Sequence, residues 1–233
     1  MKRRSIAIIV SVIMLLTLCS FSVSFADTAA PGQVKISSVK AKSAPPKVGK
    51  ATVTVKWKKQ KGATGYQILV KSPDGDWDCV KTVGGKKTSA KFKTFVGKHA
   101  VAVRALKNAD GQTLAGPFSK AKNVKVKSKM TLQKYVKKHP AQRKKAQKLA
   151  GEEGVTVQFR DNDLIFIYDL AGLIDANSLN QEVINKLDAG LMQEQPTFMG
   201  IIKQFKKECK IGGVRVIVKY THSGNLIMTR IFQ

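Results

Sequence analysis

The sequence predicts a multidomain protein in which an all-β, immunoglobulin-like sandwich is followed by an α+β domain. Residues 31–127 contain about seven short segments in which apolar and polar residues alternate, separated by glycine and proline, a pattern typical of a sandwich. Residues 130–233 contain a helical stretch and then a hairpin, and repeat this order once. An α-β-β-α-β-β order favours a four-stranded antiparallel sheet with the helices on one face.

The first 26 residues have the pattern of a secretory signal peptide. Three basic residues at 2–4 precede an apolar run over residues 6–18, and small residues lead to an expected cleavage site after Ala26. An uncleaved membrane anchor is one alternative, although the run is shorter than the roughly 18–20 residues that span a bilayer. Lipidation at Cys19 is another. We expect a secreted, extracellular protein that associates with the cell surface and has no transmembrane segment after cleavage.

The strands of the first domain are expected where residues alternate with a period of two. Val53, Val55 and Trp57 alternate with polar residues and predict one apolar strand face. Proline and glycine at 73–75 predict a turn. The expected strands cover residues 34–39, 53–58, 66–72, 77–83, 88–95 and 98–106, and a last one includes Val124 and Val126.

The same segments carry a family resemblance. Trp57, the segment GATGYQILVK at 62–71 and the tripeptide VRA at 103–105 resemble a fibronectin type III domain of the kind found on bacterial surfaces. The resemblance implies a binding or spacer module and names no ligand. Where the family has a core tyrosine, this sequence has His99. We expect His99 to fill that tyrosine corner and to hydrogen-bond nearby backbone.

The second domain is expected to begin with two short helices. Thr131 is a suitable N-cap, and Pro140 is expected to end the first helix and to begin a second one that runs to Ala150. An apolar stripe over residues 178–210 predicts a long helix that Pro196 kinks or divides. The strands expected from alternation cover residues 155–159, 164–168, 214–220 and 226–232.

A second resemblance covers residues 130–233. The segment TLQKYV at 131–136, the pair His139-Pro140 and the segment GVTVQF at 154–159 resemble an uncharacterised domain family of secreted proteins from Gram-positive bacteria. That family has no assigned activity. The resemblance therefore implies an extracellular location and no particular function.

Charge is distributed unevenly along the chain. The sequence has 42 Lys and Arg against 15 Asp and Glu, a net charge of +27. Residues 27–127 carry +17 and residues 128–148 carry +8, whereas residues 149–233 carry −1. The electrostatic field of such a concentrated positive charge attracts polyanions, and this attraction weakens as salt is added. The expected partners are therefore anionic cell-envelope polymers, teichoic acid or an acidic glycan; a lysine surface that only keeps the protein soluble is the alternative.

The expected binding residues combine outward-facing strand lysines with a basic helical segment. Alternation places Lys125 and Lys127 outward as well, so the strand lysines could form one broad basic face; one contiguous face and a scatter over all sides both stay open. Residues 129–150 contain no acidic residue, so the helical charges repel one another. Protection of a sheet edge is the alternative role for some strand lysines. The candidate binding residues are Lys56, Lys58, Lys91, Lys93, Lys134, Lys137, Lys138, Arg143, Lys144, Lys145 and Lys148.

The sequence contains no recognisable catalytic or metal-binding motif. HExxH, GxSxG and phosphate-binding glycine loops are missing, and His99, His139 and His222 are expected on separate elements. The aspartates at 74–78 are not followed by the glycine and the glutamate that a calcium loop requires. We therefore expect a protein that has no catalytic residues and binds no cofactor or metal.

Two other functions stay open at this point. One is a protein-recognition module, an adhesin or an inhibitor, that binds an extracellular protein; the other is an enzyme with an unrecognised site. Nucleic acid is a poor candidate because the basic stretches lack interleaved aromatic residues and the chain is expected to be exported. Cys79 and Cys209 are expected as buried free thiols, and an interdomain disulfide is the alternative.

Overall fold

The computed structural model describes residues 29–109, 111–150 and 155–233. The predicted signal peptide lies outside these residues. Within them, no helix combines the length and the apolar character that a membrane crossing requires. One hydrophobic core is formed by residues between Val34 and Val126 and another by residues between Leu132 and Phe232. We call the two regions the sandwich and the α+β part; their division into independent domains at 31–127 and 130–233 stays a prediction.

The sandwich consists of two β-sheets packed face to face. One sheet has the strand order β1-β2-β5, and the other has the order β4-β3-β6-β7 with β8 also paired to β6. All strand pairs in both sheets are antiparallel. The described strands are β1 (Ile36–Ala41), β2 (Lys50–Trp57), β3 (Gly65–Lys71), β4 (Trp77–Gly84), β5 (Ser89–Phe95), β6 (Gly97–Ala109), β7 (Gln112–Ala115) and β8 (Lys122–Val126).

Alternation along each strand determines which side chains enter the core of the sandwich. Val53 and Val55 of β2 are fully buried, whereas the lysine between Val55 and Trp57 is exposed. Trp57 and Tyr66 meet in the core with their ring centroids 5.2 Å apart, so the two sheets are joined by an aromatic pair as well as by aliphatic packing. The strand positions therefore follow the period-two pattern of the sequence, except for β7, which the pattern did not predict.

The α+β part contains four α-helices and a four-stranded sheet in the described residues. Thr131 caps the first helix by accepting a hydrogen bond from the backbone N–H of Lys134, as predicted. The long helix predicted over 178–210 is divided into two helices at Glu194, next to Pro196. The elements are α1 (Leu132–Lys138), α2 (Pro140–Ala150), β9 (Val155–Arg160), β10 (Asp163–Asp169), α3 (Gln181–Gln193), α4 (Gln195–Cys209), β11 (Arg215–His222) and β12 (Asn225–Phe232).

The sheet of the α+β part is mixed, and the prediction of an antiparallel sheet was wrong at its centre. The strand order is β12-β11-β10-β9, and β10 pairs with β11 in parallel. The two hairpins are antiparallel as predicted. The parallel pair arises because α3 and α4 connect β10 to β11 as a crossover, which returns the chain to the same end of the sheet.

Helices α1, α3 and α4 of the α+β part pack on one face of its sheet. Leu164 and Phe166 of β10 share a core with residues of α1, α3 and α4, among them Leu191 and Phe198. The opposite face presents Ile165 of β10, which is also buried. That second face cannot be buried by the helices, and it contacts the sandwich through the side chains described below.

Candidate functional site

The outer face of the β1-β2-β5 sheet is a row of lysines. Lys91 lies opposite Thr54 and Lys93 lies opposite Thr52, while Lys56 lies opposite Ser89. All three lysines are exposed. Because each of these lysines is paired with a serine or a threonine and not with another lysine, direct repulsion across the two strands is limited.

This face, which we call the lysine face, also contains a residue that the sequence reasoning missed. Lys40 of β1 lies opposite Thr54 on the same side of the sheet, in line with Lys91. An irregularity of register between Ile36 and Ser38 interrupts the alternation that would have indicated it. The three strands contain no Asp or Glu, so no carboxylate of the sheet itself neutralises the lysine face. Lys58, one residue beyond β2, is exposed beside it.

The single broad basic face that alternation allowed is divided in two by the sheet topology. Lys125 lies on β8, which pairs with β6 in the other sheet. Its side chain is therefore on the opposite side of the sandwich from Lys56 and Lys91. These lysines therefore do not share one surface, and alternation along a strand could not show this because it does not tell which sheet the strand joins.

The remaining candidate cations lie on α1 and α2. Lys134, Lys137, Lys138, Arg143, Lys144 and Lys148 are exposed; Lys145 lies on α2, and its side chain is outside the described set. The Lys134 ammonium donates a hydrogen bond to the backbone oxygen of Lys129. Leu132 and Val136 bury the opposite side of α1 in the core. Packing therefore holds α1 in place against the repulsion of its charges, and its basic side faces solvent.

A network of charged side chains connects the sandwich to the α+β part. Asp74, in the turn between β3 and β4, accepts hydrogen bonds from Arg160 of β9 and from the ammonium of Lys219, the latter at 2.7 Å. Burial disfavours the charged form of Asp74, but the hydrogen bonds and positive charges of Arg160 and Lys219 outweigh it and lower the pKa of this carboxyl. Asp74 is therefore ionised at neutral pH and serves as a structural contact, not as the first ligand of a calcium loop.

Arg160 extends this network to a buried ion pair. It donates a second hydrogen bond, of 3.1 Å, to Asp163. Asp163 also accepts two hydrogen bonds, of 2.8 and 3.0 Å, from the guanidinium of Arg215 on the neighbouring strand. The side chains of Asp163 and Arg215 are only 3% and 2% exposed. The Arg215 guanidinium lies 5.2 Å from the ring centroid of Phe95 in the sandwich, so this pair also forms part of the contact between the two regions.

His99 occupies the corner predicted for it. Its Nε2 donates a hydrogen bond of 2.8 Å to the backbone oxygen of Phe95, which confirms the expected bond to nearby backbone. Its Nδ1 lies 3.3 Å from the hydroxyl of Ser72. Burial lowers the pKa of His99, against the opposing effect of the Phe95 hydrogen bond. A neutral ring, in which Nδ1 accepts from Ser72, satisfies both contacts.

An open cleft of about 900 Å³ lies where the sandwich and the α+β part meet. The sandwich side of the cleft contributes Lys71, Lys98 and Lys125, with Asn123 beside them. The α+β side contributes polar and charged residues, namely Gln133, Arg160, Asp161 and Asp163. We call this the junction cleft. Sequence reasoning could not find it, because its walls come from parts of the chain that are distant in sequence.

The three described histidines do not converge. His139 follows α1 with its ring centroid 4.2 Å from that of Tyr135, and the Nε2 of His222 at the end of β11 donates to the backbone oxygen of Ile174 at 3.0 Å. Within the described residues, no group of three or more His, Cys, Asp or Glu side chains is suited to hold a metal ion. The geometry around these histidines is explained by packing and capping.

The two described cysteines are free and lie in different environments. Cys79 is exposed on β4 and Cys209 is buried at the end of α4. The expectation of two buried thiols was therefore wrong for Cys79, because β4 is an edge strand of its sheet. Burial raises the pKa of the Cys209 thiol to about 11, so this cysteine is protonated at neutral pH and is a poor nucleophile.

The strand order of the two packed sheets defines an immunoglobulin-like sandwich, and the α+β part that follows it carries a family match. Residues 132–232 match the family described as Domain of unknown function (DUF4854). No curated protein matches the chain.

The solved structures to which the chain is similar include three fibronectin type III structures. The sixth such domain of human fibronectin type III domain containing protein 3 has 17% identity and a TM-score of 0.31, covering 44% of this chain and 92% of that one. A domain of human contactin 1 has 18% identity and a TM-score of 0.29, covering 45% and 82%. The fibronectin(III)-like modules of Clostridium thermocellum CbhA have 20% identity and a TM-score of 0.28, covering 41% and 96%.

Proposed function

We propose that this is an exported, non-enzymatic binding protein that associates with anionic polymers of the cell envelope, teichoic acid or an acidic glycan. The observation that carries the proposal is the lysine face, where Lys40, Lys56, Lys91 and Lys93 project from one sheet whose strands contain no carboxylate. The exposed cations of α1 and α2 supply a second basic surface. Export, an extracellular location and a bacterial envelope are parts of the proposal that rest on the sequence pattern of the first 26 residues and on the resemblances.

The physics of the lysine face suits a flexible, repeating anion. Each exposed lysine interacts weakly with a single charge in water, but several lysines on one face act together on a polymer that presents many charges. Binding of this kind releases counterions and weakens as salt is added. Because the lysines of this face are exposed side chains that act through their charge, we expect selection by charge density more than by the order of the polymer's units.

Binding to purified cell walls tests the proposal. The chain from Asp27 is mixed with walls that retain their anionic polymer and with walls from which it has been extracted, over a series of salt concentrations. We expect retention on the complete walls that decreases as salt increases, and little retention on the extracted walls. Retention that is absent, or that is equal on both walls and insensitive to salt, would contradict the proposal.

Two charge-matched variants assign the binding to a surface. The first replaces Lys56, Lys91 and Lys93 with glutamine. The second replaces three exposed lysines of α4, at 203, 206 and 207, and changes the net charge equally. We expect the first variant to lose most of the retention at moderate salt and the second to lose much less. A similar triple variant at Lys137, Lys138 and Lys144 measures the contribution of the helices.

One observation favours the protein-recognition alternative as a second candidate. Strand β4 is the edge of its sheet, and nearly all of its residues are exposed, including Val80 with 40% of its surface. An exposed edge strand offers unpaired backbone groups to a partner strand. This candidate predicts a saturable complex with one extracellular protein that persists at high salt and is weakened by Val80→Lys. A pull-down from culture medium at high salt, with this variant as the control, decides the point.

A further inference from the structure

The junction cleft contains a charge arrangement that the fold alone does not explain. Lys98 of β6 and Lys125 of β8 are directly opposite each other on neighbouring antiparallel strands, and both are exposed. Like charges at directly opposite positions are destabilising. In the described part of the chain, neither Lys98 nor Lys125 forms an ion pair with a carboxylate. An anion between these two ammonium groups would remove the repulsion.

The basic side of the cleft also includes Lys71 and the small side chain of Ala100. Lys71 of β3 lies opposite Ala100 of β6, and Ala100 lies opposite Asn123 of β8. Lys71 is therefore one strand away from Lys98 and on the same face of the sheet. Because Ala100 has only a methyl group, the surface between the three lysines is open to a ligand.

The opposite wall of the cleft offers groups suited to hydroxyls. Asp161 lines the cleft in a left-handed backbone conformation with a φ of 51°, and none of the described ion pairs involves its carboxylate. The amide oxygen of Gln133 accepts from the backbone N–H of Asp161 at 3.2 Å, which leaves the Gln133 amide N–H groups as donors. A carboxylate acceptor and amide donors together match the alternating needs of sugar hydroxyl groups.

An exposed tryptophan adjoins the cleft in the same row of side chains. Trp77 of β4 lies opposite Lys71 of β3 and is 42% exposed. It lines a small hollow of about 150 Å³ with Leu69, Ala102 and Phe118. The row across the four strands therefore consists of Trp77, Lys71, Ala100 and Asn123. Trp77 is at one end of the row, and the other three residues line the junction cleft.

We propose that this row and the junction cleft bind an anionic saccharide, with one sugar ring on Trp77 and the carboxylate or phosphate of a neighbouring unit between Lys71, Lys98 and Lys125. Aromatic rings bind the apolar face of a ligand while the polar groups around them fix its orientation. A simple anion would use the lysines but not Trp77, and a neutral sugar would use Trp77 but not the lysines. This inference rests on the proposed function and assigns a discrete recognition site, separate from the lysine face.

Titration with short saccharides tests the inference on the chain from Asp27. The probes are a tetrasaccharide that contains uronic acid, a sugar phosphate, a neutral tetrasaccharide, inorganic phosphate and a hexaglutamate peptide. Tryptophan emission is a direct readout, because the chain has two tryptophans and Trp57 is buried at 3% exposure. We expect the uronic acid probe, the sugar phosphate or both to bind saturably and to change the emission of Trp77, and the other probes to bind at least about tenfold more weakly.

Matched variants separate the site from general charge. The double variant Lys98→Gln/Lys125→Gln is compared with Lys56→Gln/Lys91→Gln, which removes the same charge from the lysine face. We expect the first pair to raise the dissociation constant of the acidic saccharide about tenfold and the second to change it less than about twofold. Trp77→Leu also removes the reporter, so its affinity is measured by calorimetry, and we expect it to bind the acidic saccharide more weakly than the unmodified chain does.

Several outcomes overturn the inference. Equal losses in the two double variants would show attraction by net charge alone, and equal binding of the neutral sugar would remove the role of the lysines. Binding of hexaglutamate as tightly as the saccharide would indicate a peptide site. If no short saccharide binds while complete walls still retain the protein, this inference fails and the proposed function stands; if walls and saccharides both fail to bind, the proposed function fails as well.

Discussion

Replacing Asp163 with asparagine tests the role of the buried ion pair between β10 and β11. Asp163 accepts hydrogen bonds from both Arg215 and Arg160, and only 2% of the Arg215 side chain is exposed. The substitution leaves the Arg215 guanidinium buried without its counter-ion. Removal of one partner from a buried pair typically costs about 3–5 kcal/mol, and we expect a loss of this size in the free energy of unfolding.

Urea denaturation measures the effect with one signal from each of the two regions. Both tryptophans lie in the sandwich and the described α-helices lie in the α+β part, so emission follows the sandwich and circular dichroism at the helical band follows the α+β part. With a slope of about 2 kcal/mol per molar urea, the predicted loss lowers the dichroism midpoint by roughly 2 M. We expect a smaller shift of the emission midpoint, since Arg215 also lies beside Phe95 of the sandwich.

A control pair and a double variant make this prediction refutable. Asp188 and Arg230 form an ion pair whose side chains are 34% and 36% exposed, and Asp188→Asn should cost less than about 1 kcal/mol because solvent screens the pair. The double variant Asp163→Leu/Arg215→Met should recover most of the stability lost by Asp163→Asn. A loss for Asp163→Asn no larger than that of the control would show that Arg215 does not depend on Asp163.

Two further predictions follow from the backbone and from histidine. A Cβ at Gly212 would lie 2.1 Å from the backbone oxygen of Lys47, so Gly212→Ala should lower the thermal midpoint by several degrees. Gly190 is the control, because a Cβ there would point into open space on α3. Gly190→Ala should raise the free energy of unfolding by roughly 0.5–1 kcal/mol. The pKa of His99 is lowered in the folded chain. As the pH falls below about 6.5, His99 of the unfolded chain therefore binds a proton at a higher pH than His99 of the folded chain does. Stability should therefore decrease between pH 7.5 and 5, and His99→Gln should remove part of that slope; an unchanged slope would contradict the assignment.

Local periodicity predicted most elements of the chain but not their partners. The alternation around Val53 and Trp57 predicted β2 because one face of that strand is buried in the core and the other is not. It missed β7, whose four residues Gln112–Ala115 do not alternate. Periodicity also missed the parallel pairing of β10 with β11. That pairing depends on the direction in which the connection through α3 and α4 brings the chain back to the sheet, and the sequence of neither strand contains this information.

For the candidate site too, the sequence predicted which side chains are exposed but not which residues they lie beside. Exposure of Lys56, Lys91 and Lys93 followed from their positions between inward-facing residues. The separation of Lys125 from that face and the contacts of Asp74 were not predictable. Asp74 meets a lysine 145 positions away in the chain, and a sequence pattern that covers a few residues carries no information about such a partner.

The salt dependence of binding to purified anionic envelope polymer tests the central claim most directly. The logarithm of the association constant is measured against the logarithm of salt concentration for the chain from Asp27 and for its variant with glutamine at Lys56, Lys91 and Lys93. We predict a linear decrease for the unmodified chain and a distinctly shallower slope for the variant, because fewer counterions are released when three cations are removed. Equal slopes for the two proteins would contradict the assignment of binding to the lysine face.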